Sequence, residues 1–266
     1  MSLISKKFEG LKLEGKKALI SYSIAGDPNI TSSEKIIENF IESGVDIIEI
    51  GIPFSDPMAE GPVIQLGHER ALLNEIDLDV ILAMCLRIKT KFPKTPLVLM
   101  GYMNNFLSLG EDLFAKLKIN GVDGLIIVDL PYEESTDFLN KLNSQNVDLI
   151  RLISPTTTDE RIDRILSSSS GYLYYVSLKG VTGSDLKVSD DLEDRVANIK
   201  NKTDLPVVVG FGIKDAQTAK KMSSVSDGVV VGSKLVNEIS KLNDIDEIRL
   251  KDNLDTIISD LKNGIK

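Results

Sequence analysis

This 266-residue chain contains a single cysteine and a single histidine. With Cys85 alone, no disulfide can form within the chain, and a cytoplasmic setting fits. Cys85 falls inside a helical pattern and reads as a small buried hydrophobe. With His68 alone, a zinc site built on several histidines is excluded, and a Ser-His-Asp triad would have to use His68 itself. His68 lies on the helix after an acidic loop, which predicts a surface or packing role. Basic charge is also short: 31 Lys+Arg against 40 Asp+Glu leave a formal charge of −9. That balance argues against nucleic acid and against anionic membrane surfaces as partners. No apolar run is long enough to span a bilayer. The first residues, Met1 to Gly15, lack the apolar stretch of a secretory signal; they read as a short amphipathic helix with Leu3, Ile4, Phe8 and Leu11 on one side.

What is there is alternation. Strand and helix signals follow each other from end to end. Ala18–Ile24 reads as a first strand, stopped by Gly26-Asp27-Pro28. Thr31, Ser32 or Ser33 can cap the next helix, where Ile36, Ile37, Phe40 and Ile41 recur at helical spacing. A second strand carries Glu49. Helices then start near Pro62 and run through Val80, Ile81, Met84 and Ile88. Further strands are predicted at 97–102, 124–129, 147–153, 172–177, 206–210 and 227–232, with mostly helix from Phe106 to Ile119. A last helical region runs from Ser233 to Leu261, with a possible break near Asn243. Eight strands alternating with helices over this length predict one (β/α)8 barrel domain spanning residues 1–266, with an extra N-terminal helix. An open doubly wound sheet is disfavoured, since the Gly-rich turn after its first strand is missing. No internal repeat stands out beyond the alternation itself. One long polar loop, Leu178 to Asp190, follows the sixth strand and reads as a lid or a disordered segment.

The stretch from Asp46 to Val63 draws most attention. An unpaired carboxylate inside an apolar strand is expensive, so Glu49 among Ile47, Ile48 and Ile50 needs a reason. Either it is a hydrogen-bonded structural acid or, at the C-terminal end of a barrel strand, a catalytic one. Burial should raise its pKa and let it exchange protons near neutrality. Ser55-Asp56-Pro57 reads as a turn, and Gly61-Pro62 opens a helix with Glu60 at its entrance. Glu60 can serve the helix dipole, or complete an acid/base pair with Glu49. Asp56 reads as a turn or rim residue, and Asp129 as a tie between loops.

Strands seven and eight end in glycines, Gly210-Phe211-Gly212 and Gly232 before Ser233. Such ends let backbone amides approach an anion, and this fold commonly binds phosphate there. Gly180 and Gly183 in the long loop can complete the cradle; the plain alternative is turn glycine with Ser233 as a cap. Tyr22, Tyr102 and Tyr174 sit near strand ends and can line an aromatic pocket or simply pack. A phosphate site with two carboxyls, no histidine cluster and no strand lysine points to direct acid/base chemistry on a sugar phosphate.

Taken together, Glu49-Ile50-Gly51-Ile52-Pro53-Phe54-Ser55-Asp56-Pro57, Gly26-Asp27-Pro28, Gly180-Val181-Thr182-Gly183 and Gly210-Phe211-Gly212-Ile213 resemble the tryptophan synthase alpha subunit family over nearly the whole chain. The resemblance implies retro-aldol cleavage of indole-3-glycerol phosphate to indole and glyceraldehyde 3-phosphate. It implies Glu49 as the proton shuttle, and Glu60 as the carboxylate on the indole N–H. The family has Asp where this chain has Glu60, one methylene longer. It further implies Tyr174 beside the catalytic acid and phosphate held by Gly183, Gly212, Gly232 and Ser233. Thr182 would help close the mobile loop, and Tyr22 stands where phenylalanine is common, with Tyr102 in the same indole pocket. No cofactor is implied in this chain and no metal. Pyridoxal phosphate belongs to a beta subunit expected to receive indole in an alpha2-beta2 heterotetramer, facing the loop of Pro53 and Asp56. A stand-alone lyase and a non-catalytic activator of the beta subunit are the alternatives.

Overall fold

The computed structural model describes residues 1–176, 190–210, 212–243 and 246–265. The loop from Leu178, including Gly180, Thr182 and Gly183, and also Phe211 lie outside the described residues. Helix α1 (Leu3–Leu13) precedes strand β1 (Ala18–Ile24), α2 (Ile30–Glu42) and β2 (Ile47–Gly51). Two helices, α3 (Pro62–Leu72) and α4 (Leu78–Lys91), lead to β3 (Leu97–Gly101). After β3 the expected helix is split into α5 (Met103–Leu107), a 3-10 turn and α6 (Leu113–Ile119). Then come β4 (Gly124–Ile127), α7 (Thr136–Ser144), β5 (Asp148–Ile153), α8 (Asp159–Leu166) and β6 (Leu173–Val176). The chain ends with α9 (Asp190–Lys200), β7 (Val207–Gly210), α10 (Ala216–Ser223), β8 (Gly228–Val231), α11 (Ser233–Ile239) and α12 (Glu247–Gly264). A 3-10 turn, Ser240–Asn243, marks the expected break. The eight strands are parallel and close in sequence order, β8 pairing back to β1. This is the (β/α)8 barrel.

Strand parity separates two cores. Ile20, Ile47, Val98, Ile126, Ile150, Tyr172, Val208 and Val230 point into the barrel. Their neighbours Leu19, Ile48, Leu97, Leu125, Leu149, Leu173, Val207 and Val229 pack outward against the helices. Both sides being buried explains why the strands read as continuous apolar runs. Helix α1 closes the bottom of the barrel: Ile4, Phe8 and Leu11 join the inner core, and the Phe8 ring lies 5.7 Å from that of Tyr172. The amphipathic reading of this helix therefore holds, with the apolar side used as a plug.

The cap of α2 differs from expectation. Asn29, in extended backbone, accepts the Ser32 amide at 2.9 Å, while Ser32 and Ser33 are buried inside the helix. An asparagine two residues upstream of Thr31 does the same capping work as serine or threonine.

A repeat that alternation had hidden appears at the N-terminal rim. Gly44-Val45-Asp46 and Gly121-Val122-Asp123 occupy equivalent places before β2 and β4, with both glycines at positive φ. Asp46 Oδ2 accepts the Leu19 amide at 3.0 Å, and Asp123 Oδ2 the Leu97 amide at 2.9 Å. Asp227 does the same for Val207 at 2.9 Å, and the Ser170 hydroxyl for Leu149, also at 2.9 Å. A side chain just before each even strand thus takes up an amide in the first two residues of the odd strand before it, satisfying donors that the sheet ladder leaves over.

Candidate active site

Glu49 is the third residue of β2 and points inward, in register with Tyr22 on one side and Val98 on the other. It is fully buried. Tyr172 donates its hydroxyl to Oε1 at 2.5 Å, while Oε2 has no hydrogen-bond partner among the described residues. Burial pushes the carboxyl up to about 8, only partly countered by the Tyr172 hydroxyl. A group at that value can both donate and accept a proton near neutrality.

Tyr172 lies in the predicted sixth strand but is not among the predicted site residues. Its signal was available: residues two apart on a strand face the same way, so Tyr172 accompanies Tyr174 into the barrel. Tyr174 lies one layer higher. Glu49 and Glu60 both act on its hydroxyl, raising its pKa after burial has done most of the work. A side chain at Gly210 would come within 2.0 Å of the Tyr174 oxygen, and one at Gly51 within 2.2 Å of the Tyr22 oxygen. Glycine at those two strand ends is what admits tyrosine hydroxyls to the mouth of the barrel.

Glu60 lies just before α3, which starts with Pro62 after an uncapped Gly61. Its Oε2 accepts the Tyr102 hydroxyl at 2.5 Å, and that same hydroxyl accepts the Ala59 amide at 3.1 Å. Burial raises the Glu60 pKa, opposed first by Tyr102. Tyr102 therefore holds a carboxylate, and its ring stacks on Phe54 with centroids 4.6 Å apart. Pro53 is buried, and its carbonyl accepts from Asn105 at 3.2 Å, so its ring is not available at the surface. Ser55, Asp56, Met58 and Ala59 are the exposed residues of this loop. His68 is buried rather than on the surface, against Tyr22 and the Phe54 amide.

Neighbouring loops are tied down by charge. Arg70 on α3 makes a two-pronged contact with Asp27 at 2.8 and 2.6 Å, fixing the Gly26-Asp27-Pro28 turn after β1. Asp129 accepts the Met103 amide at 2.7 Å and does join two loops at this face. At the ends of β7 and β8, Gly212 has a φ of +70°, Gly232 precedes α11, and Ser233 is that helix's first residue. A side chain on Gly232 would meet only ordinary contacts, the nearest 3.4 Å away at Tyr22, so packing alone does not demand glycine there. Gly183 and Thr182 lie outside the described residues. No group of three or more metal-ligating side chains occurs among the described residues. Cys85 is buried on α4 with its thiol pushed up to about 12, and is inert.

The sequence and the fold both have close counterparts. The family model of the tryptophan synthase alpha chain matches residues 8–266. The tryptophan synthase alpha chain of Thioalkalivibrio sulfidiphilus is 48% identical over 242 residues, 91% of each chain. That of Marinobacter nauticus is 48% identical over 242 residues, covering 91% of this chain and 90% of its own. The crystal structure of tryptophan synthase subunit alpha from Legionella pneumophila superposes with a TM-score of 0.91 at 38% identity, covering 100% of this chain and 98% of that one. With a closed barrel, two carboxyls of raised pKa at its C-terminal mouth and this match over nearly its full length, the chain belongs to the tryptophan synthase alpha chain family.

Proposed function

We propose that in this lyase Glu49 carries the proton exchanged when indole-3-glycerol phosphate is cleaved to indole and glyceraldehyde 3-phosphate. Neutral at rest, Glu49 gives its proton to indole C3; as a carboxylate it then takes the proton of the adjacent side-chain hydroxyl. The carbon–carbon bond between those centres breaks, the carbonyl forms, and one proton has moved from oxygen to carbon. Glu60 accepts the indole N–H and stabilises the cationic ring formed on the way. Tyr22 and Tyr174 flank the ring, while Tyr102 holds Glu60. The amides at Gly212 and Gly232 with the Ser233 hydroxyl take the phosphate, joined by Gly183, and Thr182 helps to close the long loop.

The observation that carries this reading is the free Oε2 of Glu49, a buried oxygen with no partner among the described residues on a carboxyl pushed up to about 8. Asp148 also has an Oδ2 unpartnered among the described residues and a pKa raised by burial, but it begins β5 at the N-terminal rim, whereas Glu49 points into the barrel beside Tyr22. The family brings no cofactor to the alpha chain; pyridoxal phosphate belongs to the beta chain. We place that beta subunit against the loop bearing Asp56 and Met58, in an alpha2-beta2 assembly within the cytoplasm. Residues 1–266 would act as one domain.

Indole release from indole-3-glycerol phosphate, by the purified chain alone and with an added beta subunit, tests this. Slow release that rises strongly with the partner is expected. Fast release alone would make it a stand-alone lyase. No release in either case, with beta activity still stimulated, would make it a regulatory subunit.

A further inference from the structure

His68 sits at the centre of a connected set of contacts that reaches Glu60. Its Nδ1 accepts the Phe54 amide at 3.2 Å. A neutral imidazole that accepts at Nδ1 carries its proton on Nε2. Nε2 in turn faces the Tyr22 hydroxyl at a long 3.5 Å. Burial pulls the imidazolium down to about 4, which keeps the ring uncharged around neutrality. The ring is anchored from a firm base: α3 is pressed against β1 so closely that a side chain on Gly67 would come within 2.4 Å of Ile24. From there His68 grips the loop at Phe54. Phe54 stacks on Tyr102, and Tyr102 donates to Glu60 and accepts from Ala59.

We propose that His68, as the neutral Nε2–H tautomer, is a positioning residue that fastens the loop between β2 and α3 to the barrel and so sets the place of Glu60. It touches neither reacting atoms nor Glu60 itself; its effect passes through Phe54 and Tyr102. A side chain of similar bulk without an acceptor would fill the space but leave the Phe54 amide unsatisfied. The loop would then be free to shift, and Tyr102 with it. The Tyr22 hydroxyl shares the arrangement, since Gly51 leaves it room to reach the imidazole.

The inference rests on the functional reading above, yet the two can fail separately. His68 is the only histidine of the chain. Nitrogen-15 labelling of histidine in the full-length protein therefore gives one ring to observe at pH 7, with no assay of activity. A single Nε2–H tautomer is expected. An Nδ1–H tautomer, or a rapidly exchanging mixture, overturns the proposal even if indole is released normally. In turnover, His68→Leu is expected to lower kcat for indole release by about ten- to a hundredfold with KM changed by less than about threefold, as for a misplaced catalytic group. His68→Asn offers an amide oxygen to the Phe54 N–H and should recover kcat to within about threefold of the unsubstituted chain. If the Leu and Asn variants turn over alike, or both lose activity only in step with folded protein, His68 merely packs and the proposal fails. If the unsubstituted chain releases no indole, the functional reading falls, and the tautomer still decides whether His68 fastens the loop.

Discussion

Three aspartates at the N-terminal rim of the barrel and two glutamates at its C-terminal mouth are held in opposite ways. At the N-terminal rim, Asp46, Asp123 and Asp227 each accept an amide at the start of the preceding strand and each meets a lysine: Lys262 at 3.1 Å, Lys89 at 2.5 Å and Lys200 at 2.7 Å. At the C-terminal mouth, Glu49 and Glu60 are held by tyrosine hydroxyls, with no cation in contact among the described residues. Burial then prevails and raises both pKa values. An acid held by both an amide and an ammonium strengthens the fold and stays ionised. An acid buried with one oxygen free costs stability and keeps its proton available. Asp27 stands between the two cases: at the C-terminal mouth Arg70 occupies both its oxygens, yet burial still raises its pKa.

The sharpest way to test this division is Glu49→Gln, which should bind substrate but lose about 10²–10⁴-fold in turnover. It should also change the pH dependence of stability. Folding raises the Glu49 pKa from about 4.5 to about 8, so the folded state binds the extra proton between those values. Stability contributed by the neutral carboxyl is complete below about 4.5 and is lost as pH rises through about 8. Glutamine has no such loss, so Glu49→Gln should gain relative stability between pH 5 and 8.5, on the order of a few kcal/mol. Denaturant midpoints at the two pH values measure this, and a constant difference would show that Glu49 is not buried as the neutral acid.

Asp123→Ala is the matching change at the other rim. Loss of a partner for the Leu97 amide and for Lys89 should cost about 1–3 kcal/mol in unfolding free energy, with turnover per folded molecule unaltered. A fall in kcat as large as the fall in stability would erase the distinction between the rims. The mildest change is Tyr172→Phe. The Tyr172 hydroxyl holds the Glu49 pKa down, so its removal should move the pH profile of kcat to higher pH, with kcat itself changed by about tenfold or less. An unmoved profile would mean that Glu49 leaves Tyr172 once substrate is bound.

Much of this architecture was legible before the structure. The first strand, Ala18–Ile24, begins and ends where the apolar run and the Gly26-Asp27-Pro28 stop placed it. Other strands are one or two residues shorter than predicted: Tyr102, Asp129 and Gly232 lie beyond the last strand residue. The Asp27 clamp and the role of Asn105 under Pro53 had no local signal, since each depends on a partner more than forty residues away in the chain.

What the sequence by itself determined is periodic and local: alternating inward and outward residues, turn glycines and prolines, helix starts, and an acid where a strand should exclude one. These follow from contacts within a few residues, so their pattern survives in one dimension. What only the tertiary structure decided is the state of that acid. Tyr172 reaches Glu49 across 123 positions, and the enclosing barrel removes the water that would otherwise hold the carboxyl ionised. Desolvation is a property of everything that surrounds a group, and it exists only once the eight strands have closed.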